Sequence, residues 1–126
     1  MEVVRRQIDA FNSETEDWVE FWDSAGELHD PPDWIDRTVH SGHHGIRRAA
    51  GLWRENFSEF RWNIERLVDA GDRVVALVDQ CGHIKHGGGT VDHPVGALYH
   101  LREGKIVRLY IYLSWAEALE AVGLKE

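Results

Sequence analysis

Cysteine, basic charge and long apolar runs are all scarce in this chain. Its one cysteine, Cys81, has no partner for an internal disulfide, so a disulfide scaffold is excluded and a reducing cytoplasm is the expected setting. No apolar run approaches the roughly 20 residues that cross a bilayer, and a membrane span is not expected. The opening residues, Met1-Glu2-Val3-Val4-Arg5-Arg6, lack the apolar stretch of a signal peptide. Lys and Arg number 14 against 22 Asp and Glu, a net charge of −8 with neutral histidines. That balance argues against a nucleic-acid or anionic-membrane partner, because neutralising phosphates takes a basic surface. Internal repeats and low-complexity linkers are also missing.

What is present is a chain of 126 residues, 43% apolar and 29% charged, the composition of one globular domain spanning 1–126. A domain of this size buries about two-thirds of its unfolded surface, enough for one core and one pocket.

The first half has the helical period. Val4, Ile8 and Phe11 recur on one face, and the stripe stops at Asn12-Ser13. Ser13 and Glu16 have capping-box spacing, which predicts a short second helix with Trp18, Phe21 and Trp22 on its apolar edge. An extended piece from Gly26 to His29 follows, and Asp30-Pro31-Pro32 cannot continue a helix. Residues 33–42 read as a loop. A third helix starts near Gly45, with Ile46, Ala49, Ala50, Trp53 and Phe57 on its apolar face.

From Phe60 the period becomes two. Phe60, Trp62 and Ile64 alternate with polar residues, and Asp69-Ala70-Gly71-Asp72 supplies a turn. A long strand runs from Arg73 to His86, with Gly87-Gly88-Gly89 as the hairpin tip. Strands over Thr90–Leu101 and Lys105–Leu113 follow, joined at Glu103-Gly104. Ser114 and Glu117 again have capping-box spacing and predict a closing helix over Trp115–Val122, stopped by Gly123. Helices first and hairpin-linked strands afterwards predict an α+β fold, with the helices on one face of a mainly antiparallel sheet. A strongly curved sheet wrapped around helices leaves a cavity in its concave side, where small-molecule sites favour forming.

Several segments resemble the SnoaL-like and ketosteroid-isomerase-like proteins of the nuclear transport factor two-like superfamily. They are Ala10-Phe11-Asn12, His29-Asp30-Pro31-Pro32, Ser41-Gly42-His43-His44-Gly45-Ile46-Arg47-Arg48, Gly71-Asp72-Arg73-Val74-Val75 and Gly104-Lys105-Ile106-Val107. Their order and spacing cover nearly the whole chain. The resemblance implies a cone-shaped fold with N-terminal helices packed in the concave face. That family spans isomerases, polyketide cyclases, dehydratases, epoxide hydrolases and binding subunits without catalysis, so it implies no single activity. Asp30 falls where the ketosteroid isomerases carry a general-base aspartate, which works there with a tyrosine and a protonated aspartic acid. Those two further positions fall here on Gln7 and Ala97, and the last strand ends Tyr112-Leu113-Ser114 without the aspartate of the epoxide hydrolases. Steroid isomerisation by the familiar constellation is therefore not expected.

Asp30 admits two readings. A carboxylate at the mouth of an apolar cavity is a general base; a carboxylate before two prolines is a turn residue accepting a backbone N–H. His44, with His43, opens the third helix, where a histidine would donate to an anionic intermediate or simply face water. His29 should point opposite to Asp30. His83, His86 and His93 with Asp92 straddle the glycine hairpin, but residues three apart on a strand face opposite ways, so no metal is expected. His40 lies in the loop, and His100 points away from Tyr99. Cys81 should face away from the concave side, with no neighbouring base to activate it.

Alternation together with the resemblance places Val78, Gln80, Val95, Ala97, Tyr99, Leu109, Ile111 and Leu113 on the concave side. Trp53 and Phe57 would line the cavity wall and Trp34 would cap it. Gln80 and Tyr99 are the polar groups available to orient a ligand. Val75, Leu77, Tyr110 and Tyr112 would form an apolar convex face, and a second subunit is the simplest cover, giving a homodimer. Two functions follow from these residues. One is cofactor-free general acid–base catalysis on a small apolar carbonyl compound, with Asp30 as base and His44, Tyr99 or Gln80 stabilising the oxyanion. The other is ligand binding or assembly without catalysis.

Overall fold

A computed structural model describes residues 2–13, 16–55, 57–85 and 87–124, apart from the side chains of Glu16 and Trp53. Its elements are α1 (Glu2–Asn12), a 3-10 helix (Glu16–Phe21), β1 (Trp22–His29), β2 (Val39–Ser41), α2 (Gly42–Glu55), β3 (Phe57–Asp69), β4 (Arg73–Ile84), β5 (Thr90–Arg102), β6 (Lys105–Tyr112) and α3 (Trp115–Ala121). The strands form one six-stranded sheet in the order β2-β1-β6-β5-β4-β3. Only the β1–β6 pair is parallel; the others are antiparallel. The α+β expectation holds. No helix among the described residues is long and apolar enough to cross a membrane.

Strand alternation builds two separate cores. Val74, Ala76, Val78, Val95, Ala97, Tyr99, Leu109 and Ile111 face the concave side, where they pack against Val4, Ile8 and Phe11 of α1 and Ile46 and Ala50 of α2. Val75, Leu77 and Leu98 face the other way and meet Ala118 and Leu119 of α3. Over these residues the convex cover is α3 of the same chain. Ser114 caps α3 as its spacing predicts, accepting from Glu117 N at 3.2 Å. The close approach of α3 needs Gly96: a Cβ there would lie 2.4 Å from Ala118 Cβ.

The helical layer is pinned to the edge strand β3 by one side chain. Asn12 Nδ2 donates to Trp62 O at 2.7 Å, and Trp62 N donates to Asn12 Oδ1 at 2.8 Å, so the amide stands in for a neighbouring strand. Arg54 of α2 donates to Phe11 O and lies over the Phe11 ring, 4.2 Å from its centroid.

The expected short second helix is the 3-10 helix Glu16–Phe21, and the Ser13 hydroxyl donates to Asp9 O at 2.9 Å at the end of α1. Several boundaries differ from expectation. Trp22 pairs with Ile106 as the first residue of β1, and Phe57 pairs with Ile84 as the first residue of β3. Both aromatics also fit a helical stripe, and periodicity cannot separate the two states where a helix hands over to a strand. The loop 33–42 contains β2, a three-residue strand that pairs with the end of β1. β4 ends at Ile84, and His86, which the long strand was expected to reach, lies outside the described residues.

Candidate functional site

Two cavities lie on the concave side among the described residues. The inner one is small, about 30 Å³, and lies between α1, α2 and the sheet, lined by Trp18, Trp22, Leu28, Trp62, Leu109 and others. That is room for about one water molecule. At its polar end the Tyr99 hydroxyl donates to Gln7 Oε1 at 3.1 Å, and both residues are buried. Burial pushes the Tyr99 phenol far above its ordinary range, so it stays a neutral donor.

The outer cavity is about 220 Å³ and is lined by Pro31, Trp34, Phe57, Phe60, Gln80, Val95, Ile111 and Leu113. Strands β4, β5 and β6 supply its floor, and the turn after β1 supplies Pro31 and Trp34. Gln80 is the polar residue in that lining, and its Oε1 accepts from Trp62 Nε1 at 3.0 Å. Ile111, 2% exposed, lines both cavities, so one side chain stands where they meet.

The residues expected at the site therefore divide. Trp34, Phe57, Gln80, Val95, Ile111 and Leu113 gather around the outer cavity. Tyr99, Leu109 and again Ile111 line the inner one. Val78 and Ala97 are 0% exposed and sit in the packed core, lining neither. The side chain of Trp53 lies outside the described residues. His44 is exposed in the first turn of α2 and belongs to neither cavity.

Asp30 behaves as a loop clamp. Its main-chain N–H donates to Thr38 O at 3.1 Å, and its Oδ2 accepts from Thr38 N at 3.0 Å. Its Oδ1 lies 3.1 Å from His40 Nε2. The carboxylate side chain is only 8% exposed. Each oxygen holds one partner and keeps a lone pair for a further contact. This is the turn reading of Asp30. The side chain also borders a shallow cleft of about 230 Å³ at the sheet edge, with His29, Arg37, Tyr110 and Tyr112. His29 does turn away from the concave side: its ring stacks on Tyr110 at 4.4 Å, and Nε2 lies 3.1 Å from Glu27 Oε1.

The sequence places His40 in a loop, and the structure makes it the partner of Asp30. The β1–β2 register sets His40 opposite Leu28, and opposed residues of an antiparallel pair project to the same face. Leu28 lines the inner cavity, so His40 stands on the concave side. Recognising Val39–Ser41 as a strand would have revealed this. Trp18 and Trp22 line the inner cavity, and nothing in their spacing on an apolar edge marks them as cavity walls.

Among the described residues no group of three metal-binding side chains converges. His83 lies 3.0 Å from Glu59 Oε2, His93 Nε2 lies 3.2 Å from Leu113 O, and His86 is outside the description. Cys81 accepts from Asn63 Nδ2 at 3.3 Å, and burial followed by the charge of Asp92 pushes its thiol up, which keeps it protonated.

A family model described as SnoaL-like domain matches residues 4–109. Among solved structures, a ketosteroid isomerase-like fold from Catenulispora acidiphila in complex with trimethylamine aligns with a TM-score of 0.79 at 20% identity, covering 98% of this chain and 93% of that one. A protein described as a SnoaL-like polyketide cyclase from a Jannaschia species aligns with a TM-score of 0.79 at 17% identity, covering 99% and 92%. TerC, co-crystallised with polyporic acid, aligns with a TM-score of 0.78 at 17% identity, covering 96% and 95%. Identities this low show the fold alone. No curated protein matches the chain.

Proposed function

The chain belongs to the SnoaL-like domain family, and from that premise we propose that it binds a small, largely apolar molecule in the outer concave cavity. The observation that carries this reading is the lining of that cavity. Phe57, Phe60, Val95, Ile111 and Leu113 offer apolar surface on several sides, and the acceptor oxygen of Gln80 is already held by Trp62. Such a wall favours a molecule that loses apolar area from water on entry. Polyporic acid in TerC and trimethylamine in the Catenulispora protein are bound molecules of small size on the same fold, which supports a small ligand here.

Calorimetric titration with 2-naphthol tests the proposal. The wild-type chain binds it, and Leu113→Trp, which fills the cavity, weakens binding by at least about tenfold. His44→Ala leaves the affinity unchanged. Equal binding by wild type and Leu113→Trp contradicts the assignment of the site.

The Asp30–His40 pair favours a second reading, acid–base catalysis at the rim. If Nε2–H donates to Asp30, Nδ1 is left as the acceptor of the ring, the arrangement of an oriented general base. A base at that position would speed exchange of the methyl protons of acetophenone for deuterium in heavy water. Loss of about 10²–10⁴-fold in that rate in both Asp30→Asn and His40→Gln supports catalysis. Wild-type exchange no faster than buffer leaves binding as the function.

A further inference from the structure

The inner cavity has a feature that ligand binding in the outer one does not use. Trp22 is 2% exposed, and its Nε1–H is buried with no hydrogen-bond partner. A donor taken out of water and left unpaired is unfavourable, and folded proteins seldom keep one without a reason. A Cβ at Gly26 would lie 2.9 Å from Trp22 Cε3, so the indole edge remote from Nε1 is packed on the backbone of its own strand. Two further donors of lining residues are already used: the Tyr99 hydroxyl gives its proton to Gln7 Oε1, and Trp62 Nε1 donates to Gln80 Oε1. Trp22 therefore brings an unpaired buried donor to the lining of a space of about 30 Å³, close to the size of a single oxygen-bearing group.

We propose that the inner chamber is a subsite for one hydrogen-bond acceptor atom of the ligand, received by Trp22 Nε1–H, with Ile111 as the threshold between this chamber and the outer cavity. The inference rests on the reading of the outer cavity as the ligand site and narrows the ligand to a class. An apolar body lies against Phe57 and Val95, and a single carbonyl or ether oxygen reaches past Ile111 to Trp22. A hydrocarbon of the same shape fills the outer cavity and leaves the indole N–H unpaired.

Acetophenone and ethylbenzene, which differ by a carbonyl oxygen in place of two hydrogens, are the probes. The experiment follows assigned indole N–H resonances and the resonances of Phe57 and Val95 while each compound is titrated into the wild-type chain. Both compounds should shift Phe57 and Val95, and acetophenone alone should move the Trp22 indole proton downfield. In Trp22→Phe the ratio of acetophenone to ethylbenzene affinity should fall by roughly tenfold, the scale of one net hydrogen bond. The wild-type spectra stand by themselves should that variant fail to fold. A Trp22 indole that stays still while Phe57 and Val95 move overturns the acceptor subsite and leaves the outer cavity intact. No shift at any of the three overturns both.

Discussion

The two faces of the sheet are covered in opposite ways. On the convex side a seven-residue helix, α3, lies so close to β5 that only glycine fits at position 96, and Val75, Leu77 and Leu98 are packed beneath it. On the concave side α1 and α2 bring longer helices and far more aromatic side chains, yet cavities remain at both depths. Small side chains in tight register close a surface; large rings meeting at steep angles, such as Phe11 against Trp18 at 89° and against Phe60 at 83°, leave gaps between their edges. The convex face is built for stability, and the concave face gives up some packing for access.

Substitutions on each face should therefore separate stability from binding. The largest expected effect is Leu98→Ala, which empties a site only 3% exposed under α3. It should lower unfolding stability by about 2–5 kcal/mol in chemical denaturation and leave ligand affinity nearly untouched. Phe57→Ala should do the reverse. Phe57 is half-buried at the outer cavity, so stability should fall by only about 1 kcal/mol while 2-naphthol binding is lost. Equal destabilisation by the two variants would break the comparison.

The smallest effect concerns pH and sharpens the comparison from the convex side. Burial, and then the nearby Arg73 and Arg108 guanidinium groups, hold the imidazole of His100 below its ordinary range. A histidine whose folded pKa is depressed binds its proton more readily in the unfolded chain. Its contribution is thus present above the unfolded pKa, near 6.5, and is lost as pH falls from there towards the folded value. His100 is partly exposed, so solvent screening reduces the effect to on the order of 0.5 kcal/mol. Denaturation curves at pH 7.5 and at lower pH should converge by that small amount in His100→Gln relative to wild type. A larger gap between pH values in the variant would contradict the assignment.

Much of this organisation was legible in the sequence, for one physical reason. Where strands are long and each face is buried, alternation identifies which residues share a face, and Val74–Gln80 and Val95–Tyr99 sort onto their two sides accordingly. The same rule fails at short elements and handovers. Trp22 and Phe57 satisfy helix and strand periods alike, and β2 is three residues within a polar stretch, which hid the pairing of His40 with Asp30. The division of the pocket was not legible at all. It depends on the Ile111 side chain, which lines both cavities, and spacing along the chain carries no measure of how far a side chain extends. Asp30 shows what a family position leaves open: its partners, Thr38 on one oxygen and His40 on the other, come from a segment that the spacing does not mark as a strand.

The central claim is that the concave face keeps an open apolar site in front of Ile111 while the convex face is closed beneath α3. Crystals of the wild-type chain pressurised with xenon test this directly, because xenon occupies apolar cavities without needing any specific contact. The account predicts xenon density in the outer cavity, bounded by Phe57, Phe60, Val95 and Leu113. Density beneath α3 instead, or no density in front of Ile111, would contradict it.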